Sequence, residues 1–322
     1  MFSVKVKGLL ALTVLTVAGA ASAATWPERP VTWVVPYPAG GGSDVIARLV
    51  ASDMQTRLGQ TIVTENKPGA ATIIGATFVA QAKPDGYVVG TADSGTLAYN
   101  PSLYSKLQYD PTKFTYIGGL ARFPLMLAVN ESSPFKTLGD VIDAARKEPG
   151  KLTSASAGSG SPHHLALERF MQRANVKIVH VPYKGAAPAL QDLLGGQVSF
   201  GFVDSAAAAS NIKAGKLRVL AVATPKRLDL LPDVPTMAEA GVSDFTAYAW
   251  QGLVGPADMP LDVVGRLSTE LVASLTSRDV ARKIIDMGVE PMPMSSAMFK
   301  EYAERERADW AKVIEAAKIK LD

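Results

Sequence analysis

Tyr37-Pro38-Ala39-Gly40-Gly41-Gly42-Ser43-Asp44 lies between an apolar run, Val31 to Val35, and an amphipathic segment from Asp44 to Leu58 that Gly59 ends. The pattern predicts a strand, a glycine turn and a helix N-terminus. Successive glycines permit positive φ and close approach by a ligand, and Ser43 is expected to cap the helix. A helix start presents unpaired N–H groups at the positive end of its dipole, so a carboxylate or phosphate above Gly41 to Asp44 is favoured. The stretch lacks G-x-x-x-x-G-K-[ST] and the G-x-G-x-x-G spacing, which argues against a nucleotide. The same residues also suit a capped loop that serves packing alone.

With 322 residues, 48% hydrophobic and 20% charged, the chain has material for a large core and suits two domains better than one. Lys5 and Lys7 precede an apolar run from Gly8 to Ala20 that ends in Ala21-Ser22-Ala23. This is the signature of a secretory signal peptide cleaved after Ala23, too short for a spanning helix. Its loss removes two lysines and no acid, so the formal charge falls from +3 to +1, which points to no nucleic-acid partner. There is no cysteine, hence no disulfide in the oxidising compartment that export implies. No later run reaches membrane-spanning length. The mature protein is expected in the periplasm.

Further along, Thr61 to Glu65 and Tyr87 to Thr91 read as strands, with a small-residue helix from Ile73 to Ala82 between them. Alternating strands and helices indicate a mainly parallel α/β sheet, whose ligands bind at the carboxyl ends of strands. There Asp93, Ser94 and Thr96 follow the third strand, and the hydroxyls suit either a carboxylate oxygen or a helix cap. Tyr116 to Leu120 and Leu125 to Asn130 read as two strands separated by Arg122-Phe123-Pro124, where the first crossing between domains is placed. Beyond it the pattern restarts with a capping-box-like Thr137-Leu138-Gly139-Asp140 and a helix to Glu148.

Ser156-Ala157-Gly158-Ser159-Gly160-Ser161-Pro162-His163-His164 repeats the opening device: a strand, a glycine- and serine-rich turn, an amphipathic helix. Two such turns on two domains would offer an anion site at each wall of a cleft. His163 is either a hydrogen-bonding ligand contact or a surface histidine, while His164 and His180 read as structural. Tyr183, in the turn before a helix from Ala186 to Leu194, is a further expected ligand contact, and the choice among acids is expected to come from Tyr37, Asp93, Ser94, His163, Tyr183 and Trp250. Asp204, at a strand end before the next helix, reads first as an N-cap and second as a ligand contact. A short helix is expected after Thr236. Ala249 to Pro256 is the return crossing, where Trp250 offers a stacking face or packs the lobes. Helices Leu261 to Leu275, Ser277 to Met287 and Ser296 to about Ile319 complete the chain, the last with Phe299, Tyr302, Trp310 and Ile314 inward.

In order and spacing, the segments Trp26-Pro27 with Arg29-Pro30, Pro36 to Asp44, Glu65 to Ala70, Lys83 to Tyr87, Asn100 to Tyr104, Gly158 to Ala166, Val181 to Gly185 and Asp233 to Thr236 resemble the Bug family. These are the solute-binding proteins of tripartite tricarboxylate transporters, and the resemblance covers the whole mature chain. It implies a two-lobed type II periplasmic-binding-protein fold in which each lobe is a mainly parallel sheet flanked by helices. Lobe I would comprise residues 24–124 with 250–322, and lobe II residues 125–249. In the family, backbone amides and ordered water at the first glycine turn hold one carboxylate, which matches Ala39, Gly40, Gly41, Gly42, Ser43 and Asp44. Gly158 to His163, with Ser159, Gly160 and Ser161, matches the distal wall. Tyr37 stands where the family often has phenylalanine, and Asp93-Ser94-Gly95-Thr96-Leu97 departs from its usual serine- and histidine-containing stretch.

The expected function is a monomeric, cofactor-free periplasmic receptor. It would capture a dicarboxylate, tricarboxylate, aromatic acid or acidic amino acid and present it to the membrane subunits of a tripartite tricarboxylate transporter. A ligand-loaded sensor that docks on a membrane signalling protein is the alternative. An exported serine hydrolase using Ser159 or Ser161 with His163 is a remote one, since no G-x-S-x-G elbow is present. Three histidines, two of them adjacent, and no cysteine give no recognisable metal-ligand spacing.

Overall fold

Alternating strands and helices run through residues 26–321, the part of the chain that the computed structural model describes. The expected signal peptide, residues 1–23, lies outside them. The elements are β1 (Val31–Val35), α1 (Gly42–Leu58), β2 (Ile62–Asn66), α2 (Ile73–Ala80), β3 (Val88–Asp93), α3 (Asn100–Leu103) and β4 (Thr115–Asn130). There follow α4 (Leu138–Lys147), β5 (Thr153–Ser156), α5 (Pro162–Ala174), β6 (Val179–Pro182), α6 (Ala186–Leu194), β7 (Phe200–Asp204), α7 (Ser205–Lys213) and β8 (Leu217–Val222). The chain ends with β9 (Tyr248–Gly255), α8 (Leu261–Thr276), α9 (Arg278–Asp286), β10 (Glu290–Pro291) and α10 (Ser296–Ala317).

The strand order is β2-β1-β3-β9-β4-β7-β5-β6, with β8 and β10 also on β4. β1 is parallel to β2 and β3, and β5 is parallel to β6 and β7, as βαβ units require. The link between these two parallel groups is antiparallel. From Thr115 to Pro124, β4 pairs with β9; from Leu125 to Asn130 it pairs with β7 and β8. One strand thus changes partners midway, and the result is a two-lobed α/β fold.

The expected interruption at Arg122-Phe123-Pro124 is therefore absent: β4 is one strand of 16 residues. Leu125 N–H donates to the Ala247 carbonyl, and alternation turns the nitrogen of residue 124 to the opposite side. There it falls between β10, which pairs only with Ala121 and Arg122, and β7, which starts at Leu125. A proline at that point forfeits no ladder bond.

The expected helix after Thr236 is also absent. Thr236 and Glu239 exchange capping-box hydrogen bonds, but Gly241, at φ 96°, ends the segment after a single turn. A helical stretch that the sequence reading lacked follows β3 instead: a π-turn at Gly95–Tyr99 runs into α3.

The core lies on both faces of the sheet. Trp33, Ile46, Val50 and Met54 bury the inner face of α1 against β1. On the opposite face Tyr99, Trp250, Phe299 and Trp310 pack with residues of α5, joining the C-terminal helix to both lobes. α10 buries Phe299, Tyr302, Trp310 and Ile314, as its periodicity predicts.

Candidate functional site

α1 begins at Gly42, with Gly41 as N-cap and no side-chain cap. Ser43 is not the cap. It lies one turn-residue inside the helix, and its hydroxyl donates instead to Gln251 Oε1 at 2.7 Å. By helix geometry the amides of Gly42, Ser43 and Asp44 have no carbonyl partner within α1. Residues 38–42 are exposed and Gly40, at φ 81°, makes the turn that glycine allows.

The Asp44 side chain holds the turn from within. Its carboxylate accepts from the Gly40 amide (2.9 Å), Arg48 Nε (2.9 Å) and Asn66 Nδ2 (2.8 Å). The same Asn66 amide donates to the Tyr37 carbonyl at 3.0 Å, tying both ends of the turn to β2. Burial disfavours the Asp44 charge, but the bonds from Arg48, Gly40 and Asn66 outweigh it and hold the carboxyl at about 2. Three donors leave that carboxylate little capacity for anything else, and its negative charge would repel an acid.

Behind the turn, the Tyr37 hydroxyl donates to Asp93 Oδ2, and the Thr96 amide donates to Asp93 Oδ1 at 2.8 Å. Burial, then the Asp93 charge, pushes the Tyr37 phenol well above its ordinary value, so it stays a donor. The Thr96 hydroxyl, 1% exposed, shares a hydrogen bond with Thr72 Oγ1 at 2.8 Å. Thr72 belongs to Ala70-Ala71-Thr72, three residues at positive φ that bring this hydroxyl under the π-turn. Ser94 is likewise buried in the wall. Thr96 is thus a packing contact of the wall and not a free donor.

At the second turn α5 starts with Ser161 as N-cap, its Oγ accepting from the His164 amide at 3.3 Å. Pro162 has no N–H, so His163 supplies the one amide left in the first helical turn. The Gly160 amide donates to His164 Nδ1 (3.0 Å), and the Gly158 amide to Ser156 Oγ (3.1 Å). His164 stacks on His180 at 3.7 Å, and His180 Nε2 lies 2.6 Å from Ser156 Oγ. Both histidines are structural, as expected. Ser159 is exposed at the tip, whereas Gly160, at φ 77°, packs against the side chains of Leu103 and Leu321.

His163 is buried, its Nε2 3.6 Å from Asp204 Oδ2 and its Nδ1 without a partner. Asp204 caps α7 by accepting from the Ala207 amide at 2.8 Å, the first of its two expected roles. The Tyr183 hydroxyl donates to Asp192 Oδ2 at 2.6 Å, tying the turn before α6 to the last turn of that helix.

Trp250 is not a ligand wall. It is 1% exposed, packs edge-on to Phe299 and Tyr302, and its Nε1 donates to Glu306 at 3.1 Å. The reason is strand alternation: Trp250 and Gln251 point to opposite faces, and Gln251 takes the face of the glycine turn. Gln251, Asn66 and Arg48 are the residues that the sequence reading missed. Gln251 adjoins Trp250 within the return crossing and Asn66 ends a strand predicted one residue short, so period-two alternation is the signal for these two, while the i,i+4 spacing from Asp44 is the signal for Arg48. A groove of about 730 Å³ lies elsewhere, between α7, residues 227–231 and the α9–β10 connection. None of the turn residues lines it.

Residues 46–319 match the family described as "Tripartite tricarboxylate transporter family receptor". Protein BugT of Bordetella pertussis is 32% identical over 310 residues, covering 95% of this chain and 94% of its own. An R. palustris protein solved with adipate superposes with a TM-score of 0.84 at 37% identity, covering 92% of this chain and all of its own. MatC from Rhodopseudomonas palustris, solved with bound malate, gives a TM-score of 0.79 at 32% identity over 90% of this chain and all of its own. The hydrolase alternative fails on this ground and on the geometry, in which Ser161 is a helix cap. A two-lobed α/β fold and an uncapped glycine turn at a helix start accompany these likenesses: the chain belongs to the tripartite tricarboxylate transporter receptor family, the Bug proteins, which are periplasmic solute-binding proteins and not enzymes.

Proposed function

We propose that the chain is a periplasmic receptor that captures a small carboxylic acid at the α1 turn and hands it to the membrane subunits of a tripartite tricarboxylate transporter. The observation that carries this reading is the turn itself. Gly42, Ser43 and Asp44 present unpaired amides at an exposed, uncapped helix start, and no Lys or Arg occurs from Tyr37 to Asp44. Such a site takes an anion without burying a fixed positive charge. A Kd near micromolar requires about 8 kcal/mol, within reach of a helix dipole and several charge-assisted hydrogen bonds after ordering costs. The adipate and malate of the two solved relatives are acids of this class.

Lobe I, residues 24–124 with 250–322, carries Tyr37 and Ala39 to Ser43; lobe II, residues 125–249, carries Ser159, Gly160 and His163. The lobes close about β4 and β9, and the receptor acts as an exported monomer after loss of its signal peptide. Among the described residues no helix is long and apolar enough to cross a membrane. Mass spectrometry of the small molecule released from freshly purified protein tests the ligand class, and a carboxylic acid is expected. Co-purification with membrane subunits encoded nearby tests delivery. A released compound without a carboxylate refutes the reading.

A further inference from the structure

Gln251 is 2% exposed, yet its side chain is only half satisfied: Oε1 accepts from Ser43, and Nε2 has no partner. A buried amide donor without an acceptor is unfavourable, and folded proteins seldom retain one without a reason. Its position supplies the reason. Gln251 lies on β9, in register with Asp93 of β3 on one side and Ala121 of β4 on the other. Directly opposite residues of an antiparallel pair share a face, so Gln251 stands on the same face as Asp93, the partner of Tyr37. Its carboxamide reaches the second residue of α1, where the unpaired amides are.

We infer that Gln251 Nε2 is the side-chain donor of the carboxylate site, meeting a ligand oxygen directly or through one ordered water, and that this contact ties the bound acid to β9. The inference rests on the proposed capture of an acid at the α1 turn. It adds to that reading a residue 208 positions away in sequence, on the strand that returns the chain from the second lobe. The geometry divides the carboxamide into two functions. Oε1 is anchored by Ser43, which fixes the orientation, and Nε2 is the half of the carboxamide left without a partner. A carboxylate supplies an acceptor there and removes the penalty of the buried donor. Because this donor meets only the carboxylate, its contribution is the same for every acid that binds at the turn.

Two substitutions separate this role from a structural one. Gln251→Glu keeps an oxygen to accept from Ser43 but replaces the donor by a second, negatively charged oxygen. Gln251→Leu removes both functions at similar volume. Wild type is first screened by calorimetry at pH 7.5 against malate, adipate, succinate, aspartate and benzoate, and its tightest binders are the probes. The expected order of affinity is wild type, then Gln251→Leu weaker by roughly 10-fold, then Gln251→Glu weaker by more than about 100-fold. Each factor should be common to all probes. The ligand-free melting temperature of Gln251→Leu is expected to equal or exceed that of wild type, since an unsatisfied donor is gone. A merely structural Gln251 gives the reverse: Gln251→Glu binds like wild type, and Gln251→Leu melts lower. That result overturns the inference. If Gly42→Val abolishes binding while both Gln251 variants bind as wild type, the inference fails and the turn reading stands. If wild type binds none of the probes, or Gly42→Val binds unchanged, both fail.

Discussion

The turn before α1 and the turn before α5 share one plan, a strand running into small residues and then a helix, but they commit their amides differently. At α1 a glycine caps the helix, no side chain covers the first three N–H groups, and the clamp, Asp44, works from inside the loop. At α5 the cap is Ser161, the first helical residue is proline, and His164 and Ser156 take the Gly160 and Gly158 amides. Three helical amides remain at one turn and one at the other. A repeated sequence pattern therefore does not repeat the chemistry: the first turn leaves three helical amides free, while the second commits most of its amides, exposes Ser159 at its tip and buries His163 with Nδ1 unpartnered.

The sharpest test of that difference is Gly42→Val. Gly42 has ordinary φ, and a Cβ would sit 3.6 Å from the Phe123 ring, so the branched side chain covers the amides without forcing the backbone. Loss of two or more charge-assisted hydrogen bonds, at about 1.5–3 kcal/mol each, predicts at least ~100-fold weaker binding of every acid by calorimetry. Ser159→Val at the second turn should weaken binding by no more than about 10-fold. Equal losses at the two turns would restore the symmetric picture of an anion site at each wall.

Next in size is the clamp. Asp44→Asn should destabilise the folded protein by about 2 kcal/mol at pH 7, since the carboxyl is held at about 2 in the folded state against 3.8 ordinarily. The folded value is lowered, so this stability is present above pH 3.8 and disappears as pH falls through about 2. Urea titrations of wild type and variant at several pH values should converge at the acid end. A constant gap from pH 7 to pH 2 would show that shape, not charge, is what Asp44 provides.

The second turn carries its own pH signature. Burial first, then the neighbouring His164, lowers His180 from 6.5 to about 4, so the unfolded chain takes up the proton before the folded one. Stability from this pair is complete above pH 6.5 and is lost as pH falls toward about 4. Partial exposure reduces the effect. His180→Phe keeps an aromatic face for the stack and should flatten the melting-temperature profile across that window. An unchanged profile would locate the acid sensitivity elsewhere.

Much of the fold was legible because local signals agreed with the final packing. The glycine stop of α1, the Thr137 capping box and the bounds of α6 need only residues within a few positions of each other. What was not legible depended on distant partners. Arg122-Phe123-Pro124 reads as a break until the side of β4 to which Pro124 turns its nitrogen is known. Ser43 and Asp44 both suit a helix start, and only Gln251 and Asn66, far along the chain, decide that the first reaches the return strand and the second locks the turn. Trp250 reads as an aromatic ring at a crossing, and the alternation of β9 turns Gln251, not Trp250, to the face of the glycine turn.

The smallest expected effects concern choice among acids. In the proposed site the backbone amides of the α1 turn meet a carboxylate and nothing further of the ligand, so they cannot rank one acid over another. That ranking falls to side chains that reach the remainder of the molecule, and the structure reduces the candidates. Trp250 is enclosed in the core, Asp93 is bonded to Tyr37 and the Thr96 amide, and the Tyr183 hydroxyl is bonded to Asp192, so Ser94 remains together with Tyr37, half-buried next to the turn, and His163, whose Nδ1 has no partner. The Tyr37 hydroxyl is bonded to Asp93, so removing the hydroxyl alone frees a buried carboxylate oxygen, while removing the ring also opens space at the wall. Tyr37→Ala and His163→Ala should therefore change the ratio of affinities between acids of different length, such as malate and adipate, by roughly 3- to 10-fold. Gly42→Val should weaken both together and leave their ratio unaltered. Calorimetry of the three variants with the two acids decides it: if Tyr37→Ala and His163→Ala each lower both affinities by one common factor, selectivity does not reside in these walls, and the contrast between a turn that binds and side chains that choose is lost.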